Sequence, residues 1–158
     1  MSKAEEYIEE VGLMLEQSGM QRMEGRVLGA LLLADPAEQS AEELMETLQA
    51  SRGSISTATR HLIQVGFVER VSKPGERRDY FRNKPGAFVE MARRSTEQLR
   101  QFRSLAERGL VLLESNDPDV RLGLEEMRDF YTFAEREFPK LLERWDALQE
   151  REKALNPA

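Results

Sequence analysis

The sequence predicts a mainly α fold with a small β-hairpin (α+β), and three observations predict it. Short amphipathic helical segments crowd the first part of the chain and stop at Gly66. From Phe67 to Arg82 the pattern turns strand-like around Lys73-Pro74-Gly75-Glu76. Beyond Pro85 come long helical runs with more apolar surface than one small core can cover. Helix, helix, short helix, helix and hairpin is the order of a winged helix-turn-helix domain, here flanked by long dimerisation helices.

Each element has a local cause. The first helix is expected from about Lys3 to Gln17, with Ile8, Val11 and Leu15 on one face and Glu5, Glu6, Glu9 and Glu16 elsewhere. Gly19 breaks it. A second helix, near Gln21 to Leu33, holds the apolar run Val27 to Ala34 and reads as buried. Asp35-Pro36 ends it, because proline disfavours helical geometry in the residue before it. Ser40-Ala41-Glu42-Glu43 has capping-box form and opens a short third helix with Leu44, Met45 and Leu48 inward. After a turn at Gln49-Ala50, Ser51 is a good N-cap for a fourth helix reaching about Val65, closed by Gly66. Phe67–Ser72 and Arg78–Arg82 read as strands. After Pro85 a helix to Ser115 is expected, about 45 Å long at about 1.5 Å per residue. Asn116-Asp117-Pro118 interrupts it, and the last helix runs to about Glu152 with a kink expected at Pro139.

Composition bounds the function. A chain of 158 residues, 40% of them hydrophobic, suits one domain or one domain with a dimerisation extension. The absence of cysteine excludes a disulfide framework and thiolate chemistry, and the single His61 excludes a multi-histidine metal site. No cofactor is expected. The acidic start, Met1 to Glu10, does not read as a signal peptide, and no stretch approaches the roughly 20 apolar residues of a membrane span. A cytoplasmic protein without a membrane partner is the expectation. Carboxylate pairs such as Glu42-Glu43 and Glu125-Glu126 lie in charged helical runs without a nucleophile or phosphate loop, so no enzyme is expected.

The net charge of −6 is unevenly spread. Residues 1–50 hold three basic side chains against eleven acidic ones, whereas residues 51–84 hold eight against three. One basic stretch on an acidic protein can bind phosphates while the remaining surface is repelled. Within it, Ile55, Ala58, Leu62 and Val65 form the inward stripe of the fourth helix, with Thr59 at its edge. Gly53, Ser56, Thr57, Arg60 and Gln64 fall opposite, an acid-free face of small, hydroxyl and base-reading side chains. Arg52 and Ser54 sit in the first turn, where free amides and the helix dipole favour phosphate oxygens. The hairpin tip presents Lys73, Arg77 and Arg78, which can straddle a phosphate backbone or enter a narrow minor groove. One of the two arginines is expected to pair with a local acid; the residues do not say which. His61, at the side of the helix, reads as a phosphate contact or an exposed side chain.

The runs Ser51-Arg52-Gly53-Ser54-Ile55-Ser56-Thr57-Ala58, Gly66-Phe67-Val68-Glu69-Arg70 and Pro74-Gly75-Glu76-Arg77-Arg78-Asp79-Tyr80-Phe81 resemble the MarR superfamily, most strongly its GbsR-like branch. Glu9 to Leu33, with Gly19 and Gly25-Arg26-Val27-Leu28-Gly29, resembles that branch too. The resemblance covers about residues 5–84 and fades beyond. It implies a homodimeric repressor, or sometimes activator, on a near-palindromic double-stranded DNA operator. The helix from Ser51 and the arginines Arg77 and Arg78 would then contact DNA.

The long helices carry surplus apolar residues, including Phe102, Phe130, Tyr131, Phe133, Phe138 and Trp145. A second subunit would cover them, and could space two recognition helices about 34–36 Å apart. The expected organisation is therefore residues 1–18 as an N-terminal dimerisation helix, 19–84 as the winged domain and 85–158 as dimerisation helices. The aromatics read as dimer core ahead of a cage for a quaternary ammonium osmolyte, which the GbsR-like resemblance would suggest. A small-molecule effector is an added expected partner without an assigned site. The competing reading is a winged-helix module that binds another protein and no DNA.

Overall fold

The computed structural model describes residues 2–156. It contains α1 (Lys3–Gln17), α2 (Arg22–Leu32), β1 (Gln39–Ser40), α3 (Ala41–Leu48), α4 (Arg52–Val65), β2 (Val68–Ser72), β3 (Asp79–Asn83), α5 (Ala87–Leu112) and α6 (Pro118–Leu155). The elements form two compact units, the first ending at Ala87 and the second starting at Phe88. The first is a winged helix.

Its core follows the apolar periodicity: Val27, Leu28, Leu44, Leu48, Ile55, Leu62 and Val68 are all essentially inaccessible. Helix α1 buries Ile8, Val11 and Leu15 as its pattern predicts, and packs on α2 at backbone range. A Cβ built on Gly25 would lie 2.7 Å from both the Gly12 Cα and the Val11 carbonyl oxygen, and one on Gly29 would lie 3.2 Å from the Ile8 Cα. Two glycines four residues apart thus give α2 a flat face for α1. Glu9 fixes the pair from the rim, 2.9 Å from Arg22 and 2.6 Å from Arg26. Arg26 also donates to the Leu48 carbonyl at 3.0 Å, satisfying a free acceptor at the end of α3. The outer side of α1 keeps Tyr7, Leu13 and Met14 exposed.

The predicted hairpin is present and has an unpredicted third strand. The two-residue β1 pairs antiparallel with β3, Gln39 opposite Phe81 and Ser40 opposite Tyr80, giving the order β1-β3-β2. Two residues are too few to show an alternation in sequence. Ser40 has two roles, since its hydroxyl also accepts from the Glu43 N–H at 3.3 Å while the Glu43 carboxylate accepts from the Ser40 N–H at 2.6 Å. The Ser40 N–H and the Ser40 hydroxyl, the latter at 2.7 Å, both donate to the Glu43 carboxylate and hold it below the usual carboxylate range. The capping box read from the sequence is therefore closed on both sides.

In the second unit α5 and α6 form an antiparallel pair. Gly109 lies against Leu124, Phe102 stacks on Tyr131 with ring centroids 4.7 Å apart, Arg103 meets Glu135 at 2.5 Å, and Arg93 meets Asp146 at 2.6 Å. Helix α5 has 26 residues, about 39 Å; it stops at Leu112, three residues before the expected Ser115. Helix α6 starts at an Asp117 cap with Pro118 in its first turn and stays helical through Pro139 to Leu155, past the expected Glu152. Among the described residues no helix is long and apolar enough to cross a membrane.

Candidate nucleic-acid interface

The interface begins with the α3–α4 turn. Gln49 adopts a left-handed conformation (φ 48°) and the Ala50 N–H donates to the Met45 carbonyl at 3.1 Å, reversing the chain in three residues. The Ser51 hydroxyl then accepts from the Ser54 N–H at 3.2 Å, and the two hydroxyls lie 2.9 Å apart. Ser54 is thereby engaged in the cap and only half exposed.

Helix α4 buries Ile55, Ala58, Thr59 and Leu62. Thr59 belongs to the buried stripe rather than its edge, because its hydroxyl donates to the Ile55 carbonyl at 2.8 Å and leaves the methyl group for the core. On the other side Arg52, Gly53, Ser56, Thr57, Arg60 and Gln64 are all exposed. Arg60 makes one long contact, 3.5 Å to the Ser56 hydroxyl, and has no ion pair among the described residues. Arg52 is paired: its Nη2 lies 2.7 Å from Glu42 of α3.

His61, its side chain 43% exposed at the side of α4, faces a protein carboxylate. Its Nδ1 lies 2.8 Å from a carboxylate oxygen of Glu24, and Glu24 is only 2% exposed. The other Glu24 oxygen accepts from the Gln21 N–H at 3.0 Å. One buried acid therefore closes the start of α2 and lies against α4. Such a contact spans 37 positions, so no local pattern announces it.

The wing turns at Lys73–Glu76, where the Glu76 N–H donates to the Lys73 carbonyl at 3.1 Å and Gly75 takes φ 81° after Pro74. This is the Pro-Gly arrangement of a type II turn. The Tyr80 hydroxyl donates to the Glu76 carboxylate, a bond that raises the phenol above its ordinary range. Lys73 folds back, its Nζ 3.9 Å from the Tyr80 ring centre and 3.8 Å from Glu38. Arg82 joins Glu69 at 2.6 Å and Glu38 at 3.5 Å, and Arg70 meets Asp79 at 3.3 Å. Of the two tip arginines, Arg78 lies 3.5 Å from Glu76. Arg77 is exposed, without an ion pair among the described residues. The open question of which arginine pairs is settled this way: Arg78 takes the acid.

The structure brings α4 and the wing tip into one unit and divides their cations. Arg60 and Arg77 are uncommitted, Arg52 and Arg78 are held by acids, and Lys73 is turned inward. Glu24, Glu38 and Glu42 escaped the sequence reading as partners.

Comparison with known proteins adds independent findings. A model of the MarR family matches residues 18–79, and a model described as MmpR5-like MarR family transcriptional regulator matches residues 86–150. The HTH-type transcriptional regulator MmpR5 of Mycobacterium tuberculosis is 42% identical over 130 residues, covering 82% of this chain and 79% of that protein. A crystal structure of a transcriptional regulator superposes with a TM-score of 0.74 at 39% identity, covering 92% of this chain and 99% of that one.

Proposed function

The chain belongs to the MarR family of transcriptional regulators, and from that premise we propose that it is a cytoplasmic homodimeric repressor of a near-palindromic double-stranded DNA operator. Helix α4 enters the major groove, and the wing lies over the neighbouring minor groove. The observation that carries this reading is the exposed, acid-free face of α4, Gly53, Ser56, Thr57, Arg60 and Gln64, beside the uncommitted Arg77. Small and hydroxyl side chains let the helix approach the groove floor, and Arg60 and Gln64 are the base readers. Arg77 and Arg78 take phosphate or minor-groove contacts, Arg52 and Ser54 flank a phosphate at the start of the helix, and Lys73 seats the wing. Selection from genomic DNA, followed by binding at several salt concentrations, tests it. A sequence-selective complex with a steep salt slope is expected. Salt-insensitive or absent duplex binding would move the assignment to a protein-binding module.

The dimer rests on uncovered apolar surface. Phe102, Leu105, Phe130, Phe133, Trp145 and Leu148 are between 43% and 62% exposed, and contiguous apolar surface of this kind marks interaction sites. Between α5 and α6 an apolar groove of about 600 Å³ is lined by Phe88, Ala92, Leu141, Leu142, Trp145 and Leu148. A second copy covering these residues, together with the outer side of α1, accounts for them. Light scattering should give twice the chain mass; a monomer mass independent of concentration would remove the dimer.

The Gly-Glu-Arg-Arg-Asp-Tyr-Phe wing supports kinship with the GbsR-like branch for the winged half. Modulation by a small ligand, with no assigned site, completes the proposal, and kinship with the GbsR-like branch points to a quaternary ammonium osmolyte. Choline or betaine should alter Trp145 fluorescence and operator affinity. A flat response in both removes the osmolyte version.

A further inference from the structure

Two cations on the proposed DNA side already hold an anion. Arg52 opens α4 and lies 2.7 Å from Glu42, a first-turn residue of α3, ten positions earlier in the chain. Both side chains are open to solvent, 70% and 51% exposed, so the pair fills no core. An exposed pair of this kind contributes little to stability. Its length is that of a charge-assisted N–H···O bond, the same bond a DNA phosphate oxygen would offer Arg52. Glu42 is held ionised: hydrogen bonds from its own backbone N–H and then from Arg52 keep its carboxyl below the usual range. The positive charge of Arg78 in the wing acts in the same direction.

We propose that Glu42 is an intramolecular phosphate surrogate, occupying Arg52 in the free protein until a DNA phosphate displaces it, and so setting operator affinity. The inference rests on the DNA-binding reading above. Binding exchanges one anion for another at the same guanidinium, which makes the gain from Arg52 smaller than that from an uncommitted arginine such as Arg60. Glu42 touches no base in this scheme. It is a positioning residue that acts through Arg52.

A double-mutant cycle tests this with the full chain and its selected operator at one salt concentration. Glu42→Gln should tighten binding roughly fivefold, the upper value of an exposed pair. In an Arg52→Ala background the same change should stay within about twofold, the spread expected for uncoupled sites. Thermal midpoints of all four proteins check that each is folded. Equal tightening in both backgrounds would reduce Glu42 to a distant negative charge and overturn the proposal. Weaker or unchanged binding by Glu42→Gln overturns it as well, since Glu42 would then aim Arg52 or leave it alone. Failure of the wild-type protein to bind any duplex removes the DNA reading itself, and that result is apparent before any variant is compared.

Discussion

Gly25→Ala is expected to destabilise the protein by about 1–3 kcal/mol, the usual cost of forcing volume into a packed contact. The added methyl group would sit 2.7 Å from the Cα of Gly12 and from the carbonyl oxygen of Val11. Both are backbone atoms, so neither can rotate aside, and α1 must lift from α2. That lift would also strain the Glu9 bridge to Arg22 and Arg26, and with it the Arg26 bond to the end of α3. Gly29→Ala meets its nearest atoms at 3.2 Å and should cost less. Gly123→Ala, with nothing within 4 Å in an exposed stretch of α6, should stabilise by about 0.5–1 kcal/mol through helix propensity. Denaturant unfolding of the three variants at one fixed protomer concentration checks the order. Wild-type stability in Gly25→Ala would mean that the two helices do not meet at backbone range.

The second large effect falls on DNA affinity. Arg60→Ala should weaken operator binding by about 1–3 kcal/mol, roughly fivefold to 150-fold, and relax selectivity at one base position. Arg77→Ala should weaken cognate and random duplexes alike and reduce the salt slope by about one. Neither arginine has an ion pair among the described residues to lose, so thermal midpoints should hold. Lys73→Ala is different in kind. It removes the cation over Tyr80 and its contact with Glu38, so wing order should suffer together with binding. An Arg60→Ala protein that keeps full affinity and selectivity would take α4 out of the major groove.

Much of the architecture was legible because its causes are local. Ser51 and Gly66 bracket α4 by capping chemistry, and Lys73-Pro74-Gly75-Glu76 makes its turn through fixed φ and a glycine at φ 81°. The exposed set from Gly53 to Gln64 follows from a rotation of about 100° per residue. The ends of α5 and α6 were misplaced by three residues, since a fraying end has no strong cap to mark it. β1 was missed because its two residues become a strand only by pairing with β3.

The sequence by itself determined which residues form the helix-turn-helix and wing, where the positive charge concentrates, and which face of α4 is free of acids. Periodicity, caps and turn residues act over a few positions, within reach of a linear reading. The tertiary structure alone decided how those charges are spent. It put Glu42 on Arg52, Glu76 on Arg78, Glu38 beside Lys73 and Arg82, and Glu24 against His61. It also left Arg60 and Arg77 uncommitted and brought Gly25 onto the backbone of α1. Ion pairs and backbone contacts are set by distance in space, and an acid ten or 37 positions away in the chain becomes a neighbour only after the helices have packed.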